Sequence, residues 1–371
     1  SAAETAIAAS SCGVVLLTPG QEAPVWQAGI FQGALTSAAR LTTGEVMLAM
    51  EHYASVEAAH FESLQDRTEF AINDNPNIYK LTALVRMSPQ GQHTVLPAWR
   101  GEVTSRVAGM TALEDGGVAL CGRIMADGFE AIDTLDLGNG VTIETTPYPE
   151  PIVSDLFFAR LERDGQAVWG AKMISMSYEL EEPCHLNYDQ GTIQAAVLYS
   201  TFQAAYDGQT IDAFQSLDFQ DNMYGGWLMI DKEDGALQEA ITAGRDIRRS
   251  VRWTPNGMML AMTASGGEAP IGDSILPAHP NDSHQTVQAG YIDKDGRVLS
   301  TYQGRTHTPE AYNSYYQGLV AESDGHVLVA ATLYPGTTLD PDGDTPITIE
   351  DRGNNAGQPL VLWRQALQPL P

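Results

Sequence analysis

The chain has 371 residues, 43% hydrophobic and 18% charged, which is enough apolar material for a large core and excludes a disordered chain. Its formal net charge is −27, with 47 acids against 20 Lys and Arg, a field that repels phosphate backbones and anionic headgroups and excludes nucleic-acid and membrane-surface binding. It holds no run of 18 apolar residues such as a membrane helix needs.

The segment from Ser1 to Gly13 is rich in Ser and Ala. That texture follows a signal-peptide cleavage site, and it equally fits an arbitrary chain edge. Val14 to Pro19-Gly20 then runs into Ala23-Pro24-Val25-Trp26 as a first hairpin. A second hairpin turns at Gly44, a third at Gly91 after Leu81 to Pro89, and a fourth at Gly116 between Val107 and Gly122. Between the second and third, the stretch from Ala54 to Leu64 carries the best helical periodicity of the chain, with His52 and His60 expected on its surface. Asp155 to Asp164-Gly165 leads into Gln166-Ala167-Val168-Trp169. Phe157, Ala159 and Leu161 alternate there with Phe158, Arg160 and Glu162, the period-two mark of a half-buried strand, and Asp164-Gly165 supplies two φ > 0 residues for a tight turn. Further turns follow at Gly191, Gly235, Gly257, Gly296 and Gly325.

These turns form two interleaved series. Gly20, Gly91, Gly165, Gly235 and Gly296 recur at steps of 61–74 residues, and Gly44, Gly116, Gly191, Gly257 and Gly325 at steps of 66–75. A fixed period of this kind marks a repeat architecture. The strands around the second series are rich in Ala, Gly and Val, as crowded inner strands require. One inner and one outer hairpin make a four-stranded antiparallel sheet of about 70 residues, a β-propeller blade. Such a sheet cannot hide both faces alone, so copies must stack. The expectation is an all-β, single-domain propeller over 1–371 with five four-stranded blades: 29–100, 101–175, 176–243, 244–304 and 305–371. Residues 12–28 are expected to complete the last blade beside Leu360–Leu367, so that N- and C-terminal strands share it. That count leaves one strand over, either a fifth strand in the closing blade or a strand offered to a neighbouring molecule.

The hairpin from Leu156 to Gly170, Leu-Phe-Phe-Ala-Arg-Leu-Glu-Arg-Asp-Gly-Gln-Ala-Val-Trp-Gly, resembles the repeat of bacterial secreted beta-propeller (SBBP-like) proteins. The family's unit is nearer 50 residues, so the longer steps here imply inserted loops. The resemblance implies an exported, noncatalytic protein at the cell surface or outside the cell, and carries over no catalytic residue; the alternative location is the periplasm.

Few motifs carry chemistry. Asp340, Asp342 and Asp344 alternate on a Gly-containing loop and can aim oxygens at one hard cation such as Ca²⁺, although Gly343 and Glu350 fall off the EF-hand spacing. Cys12, Cys121 and Cys184 show no metal spacing, and both one disulfide with a free thiol and three free thiols suit them. His279 and His284 share a loop. Glu45, Glu51 and Asp127 are the acids on inner strands from which a glycoside hydrolase would draw its pair. Tyr53, Tyr79, Tyr148, Tyr206 and Tyr315 stand between hairpins, where they either stack on carbohydrate or pack. The leading expectation is a binding or structural module that engages a protein partner or copies of itself. A hydrolase or a carbohydrate-binding lectin is the alternative.

Overall fold

The computed structural model describes 26–245 apart from 32, 54–59, 64–66, 70–79, 98, 102, 127–131, 148–152, 179–183, 200–203 and 215–223, and the strands alone on either side of that stretch. Described side chains lie within 26–241. The chain is all-β. Among the described residues the one helical element is a 3₁₀ turn at Asp212–Phe214.

Antiparallel hairpins associate into successive sheets. A leading sheet takes Ala6–Ser10, Gly13–Leu17, Trp26–Phe31, His60–Ser63 and Arg67–Glu69 in that order. The first four-stranded sheet runs Gly33–Arg40, Val46–Tyr53, Lys80–Met87, His93–Val95. The second runs Val103–Ala112, Val118–Ala126, Val153–Leu161, Ala167–Tyr178 and gains Ala205–Tyr206 and Gln209–Thr210 on its edge. The third runs Cys184–Asp189, Thr192–Tyr199, Tyr224–Asp231, Leu237–Arg245. The fourth runs Val251–Thr254, Gly257–Ser265, Gln285–Asp293, Val298–His307 and gains Thr338–Asp340 and Ile347–Thr348. The fifth holds three strands, Tyr315–Ala321, His326–Thr332 and Leu360–Ala366. The chain divides into two compact units, 1–218 with 228–239, and 219–227 with 240–371.

The repeat is legible in backbone detail. In the first, second and fifth sheets the first strand carries a β-bulge between Leu35 and Ser37, Val107 and Gly109, and Tyr316 and Gly318. Each bulged residue stands eight positions ahead, in the sequence, of a glycine of the second series, Gly44, Gly116 or Gly325. Every described glycine of the two series that closes a turn has positive φ: Gly44, Gly91, Gly116, Gly165, Gly191 and Gly235. At four of them the Gly N–H donates to the carbonyl three residues back, and that residue's N–H donates to the carbonyl just after the glycine. This is a type I turn closed by a glycine bulge, so Asp164 itself keeps negative φ, contrary to a two-residue φ > 0 turn. Asp164 instead accepts from the Gln166 amide, as Asp115 does from Gly117 and Asp234 from Ala236. The two-residue turns with both φ positive occur at Asn139-Gly140, Gln190-Gly191 and Asp207-Gly208.

Two cores explain the strand composition. Met47 and Ala49 of the second strand of the first sheet join a cluster with Val107, Leu120, Phe157 and Leu161 of the second sheet. Val46, Leu48 and Met50, on the opposite face, join Trp26, Ile30 and Phe61 of the leading sheet. Alternate side chains thus enter different cores, and the strand is buried on both faces. The same holds for Leu156–Leu161. Phe158 is 1% exposed and Arg160 7% exposed, so the half-buried reading of that strand is corrected.

Two further expectations change. Among the described residues Gly13–Leu17 and Trp26–Phe31 pair with each other and with Ala6–Ser10 and His60–Ser63, and no pairing with Leu360–Ala366 occurs there. The hairpin joining Ser10 to Gly13 and a partner some 30 residues away cost less loop-closure entropy than pairing across the whole chain. His60–Ser63 is a strand and not part of a helix, while 54–59 lie outside the described residues. Phe61 is the reason: it is an anchor of the core beneath the leading sheet.

Candidate functional site

The most organised polar feature is a pair of charged clasps at the turn-bearing ends of the sheets in the first unit. Between the first and second sheets, Glu45 follows the Gly44 turn. Its Oε2 accepts from Arg163 Nε at 2.7 Å and from Thr43, and its Oε1 lies 3.6 Å from Arg86 Nε. Arg86 also donates to the Arg163 carbonyl at 2.8 Å. Between the second and third sheets, Arg160 donates to Asp115 at 2.9 Å, to Glu233 at 3.0 Å and to the Lys232 carbonyl at 3.2 Å. Lys232 Nζ meets Glu114 at 3.1 Å, Glu233 at 3.1 Å and Asp115 at 3.5 Å, and sits 5.9 Å above the Tyr188 ring.

The two clasps are copies of one design. Arg86 and Arg160 are each the penultimate residue of the third strand of their sheet, and each reaches a backbone carbonyl in the outer turn of the next sheet. The charges follow the geometry. The Arg163 hydrogen bond holds the Glu45 carboxyl below the usual carboxylate range against the opposing effect of burial. Burial pushes Asp115 up, and the Gly117 amide, Arg160 and Lys232 together bring it below its ordinary value. Burial opposes the charge of Lys232, and its carboxylate partners reverse that and raise its pKa.

Apolar contacts run alongside. A Cβ on Gly91 would lie 2.9 Å from Trp26, one on Gly165 3.0 Å from Leu96 and one on Gly235 2.7 Å from Trp169. Each outer turn therefore rests its glycine on a large side chain of the preceding sheet. Trp169 Nε1 also donates to the Lys232 carbonyl at 2.8 Å. Away from the turns, Cys121 and Cys184 form a disulfide that ties the second strand of the second sheet to the first strand of the third. Gly109 lies against it, and a Cβ there would come within 2.8 Å of Cys121 Sγ. An open hollow of about 530 Å³ beside the first clasp is lined by Arg86, Glu162, Arg163 and Asp164.

The positions singled out in the sequence separate. Asp340 ends the strand Thr338–Asp340, and Asp342 and Asp344 lie outside the described residues, as do Asp127, His279 and His284. Among the described residues no group of three His, Cys, Asp or Glu side chains converges as a metal site. Glu45 immediately precedes the strand Val46–Tyr53 that holds Glu51, at a spacing of six residues, about 20 Å, which exceeds the separation of a glycosidase pair. Held ionised by Arg163, Glu45 is also unsuited to giving up a proton as a general acid. His52 and His60 are buried at 5% and 7% exposure and not on the surface, because the strand after the bulge and the strand His60–Ser63 are both covered. Tyr206 is buried against Phe158 and donates to the Gly235 carbonyl, which is packing. The side chains of Tyr53, Tyr79, Tyr148 and Tyr315 lie outside the described residues. Sequence reasoning missed Arg160 and Lys232. An Arg on an otherwise apolar strand facing an Asp-Gly turn was the signal.

No known family pattern matches the chain, and none of the curated proteins does. Among solved structures it is similar to BamB from Moraxella catarrhalis, with 9% sequence identity and a TM-score of 0.30 over 88% of this chain and 90% of that one.

Proposed function

We propose that this chain is an exported, noncatalytic repeat module of the β-propeller type, built to bind protein, copies of itself included, at the cell surface or outside the cell. The observation that carries the reading is the use of conspicuous chemistry as fastening. The arginines, the buried lysine and the disulfide all join one sheet to the next, with no converging acid, base or nucleophile among them. Wedge-like sheets fastened turn to strand are what a propeller-type stack needs. A disulfide between two buried cysteines supports export, since such bonds persist in oxidising compartments. The acidic surface supports a soluble module with basic or neutral partners. The resemblance of the Leu156–Gly170 hairpin to secreted propeller repeats points the same way.

Two measurements test it. Fractionation of the native host, with thiol counting on the recovered protein, is expected to place an oxidised chain outside the cytoplasm, and a reduced cytoplasmic chain overturns export. Sedimentation and negative-stain imaging over a concentration series are expected to show association. Single particles at every concentration refute the self-association part.

A further inference from the structure

The outer edges of the sheets are not alike. The leading sheet ends on Arg67–Glu69, three residues, and the first on His93–Val95, three. The second and fourth end on Gln209–Thr210 and Ile347–Thr348, two residues each. Short terminal strands of this kind blunt a sheet against further pairing. The third sheet ends on Leu237–Arg245, nine residues, and the fifth on Leu360–Ala366, seven, with no strand beyond either among the described residues.

The cause lies in the connectors. Each sheet's two hairpins are joined by a loop holding a small hairpin. Three of these, at 60–69, 205–210 and 338–348, add to the last strand of the preceding sheet. A fourth, at 134–144, adds to Arg100–Gly101. The fifth, Ala269–Ile271 with Ser274–Leu276, is the one whose host would be Leu237–Arg245, and among the described residues it pairs only with itself. The other four are preceded by five to seven linker residues, and this one by three, 266–268. Three residues limit reach to about 14 Å. Pro270, in its first strand, also lacks the N–H that a ladder uses.

We propose that Leu237–Arg245 pairs antiparallel with the same strand of a second copy across a two-fold axis. This rests on the self-association reading above and names its contact. The sequence selects the register. With Thr242 on the axis, Glu239 stands opposite the partner's Arg245, Ile241 opposite the partner's Ala243, and Ala240 opposite the partner's Gly244. Two opposite-charge pairs thus flank an apolar centre, the cross-strand arrangement that stabilises an antiparallel ladder. Glu239 is exposed on the free chain and available for this pairing. The result is one continuous eight-stranded sheet shared by two copies, an isologous contact that closes on itself.

A residue on the axis meets its own copy, which gives the test its edge. In a Cys12→Ser background, Thr242→Cys is expected to link into a disulfide-bonded dimer of twice the 40.0 kDa chain mass under mild oxidation. Arg245→Glu is expected to raise the dimer dissociation constant at least about tenfold, because two like-charge pairs replace two opposite ones. Glu239→Arg with Arg245→Glu is expected to restore it. Native mass spectrometry of these edge-strand variants reads both effects, and circular dichroism checks that they fold. If Thr242→Cys stays unlinked and Arg245→Glu leaves an associated protein intact, this edge is refuted while self-association stands. If the unmodified chain is single at every concentration, both fall. A link from Thr242→Cys to Ile275→Cys within one chain would show the orphan hairpin covering its own edge and would likewise overturn the contact.

Discussion

Replacing Gly235 by Ala should damage the protein far more than replacing Gly191, although both glycines turn hairpins of the same sheet with positive φ, +74° and +90°. Both substitutions force an L-residue into the left-handed region, at a cost of about 1–2 kcal/mol. Around Gly191 nothing lies within 4 Å of the added methyl, so the cost ends there. At Gly235 the methyl would sit 2.7 Å from two atoms of the Trp169 ring, inside any real contact distance. Trp169 is 8% exposed and donates to the Lys232 carbonyl, so moving the ring both disturbs the seam and leaves the buried indole N–H without its acceptor, adding about 1–3 kcal/mol. Gly235→Ala is therefore expected to cost about 2–5 kcal/mol, and Gly191→Ala about 1–2. Urea unfolding followed by far-ultraviolet circular dichroism reads both through the midpoint at constant slope. Coupling supplies the decisive control. Trp169→Leu should be costly alone and should recover part of the loss in the Gly235→Ala background, since Leu96 already seats Gly165 in the neighbouring seam. Equal midpoints for the two glycine variants, or strictly additive losses with Trp169→Leu, would show that the turns do not rest on the preceding sheet.

Arg160→Met keeps the buried stem but removes bonds to Asp115, Glu233 and the Lys232 carbonyl, and should cost about 2–4 kcal/mol in the same assay. Arg86→Met, at a more exposed clasp, should cost about 1 kcal/mol or less. Acid should loosen both seams. Glu45 and Asp115 have folded-state pKa values below their ordinary 4.5 and 3.8, so their contribution is fully present above those values and is lost as pH falls through the lower folded ones. Midpoints measured from pH 6 down to pH 3 should fall for the native chain and fall less steeply for Arg160→Met. Cys121→Ala with Cys184→Ala opens a crosslink spanning 63 residues and should cost about 4 kcal/mol by loop entropy, read as a lowered midpoint under non-reducing conditions.

The period of the glycine turns made the sheets legible because it is set locally: a bulge residue, a turn glycine and an Asp that caps the next amide all fall within a dozen positions. At Gly116 all three are present, Gly165 and Gly235 have the glycine and the Asp, and Gly44, Gly91 and Gly191 turn on the glycine without that Asp. Pairing of the chain's ends was not legible in the same way, because Val14–Leu17 has the same composition whether its neighbour is Trp26–Phe31 or Leu360–Ala366. Burial of His60 and Arg160 was hidden for a related reason. A polar residue on an apolar strand looks exposed until the sheet packed on its far face is known.

Seams were harder to read than turns, yet the two are one device. Sheets packed face to face have to be kept from sliding, and apolar faces alone are poor at fixing register because packing tolerates small shifts. A guanidinium that must meet a particular carbonyl, and a glycine that must lie on a particular ring, tolerate none. The first clasp and the second repeat that solution with different residues, Arg163 in one and Lys232 with Glu233 in the other. In both, the arginine at the end of the third strand reaches a backbone carbonyl of the next outer turn, while the charged partners around it differ. Charge at these turns is therefore explained by the stacking of sheets, and a binding role for the chain is better sought at the edge strands that carry no further strand among the described residues, Leu237–Arg245 among them.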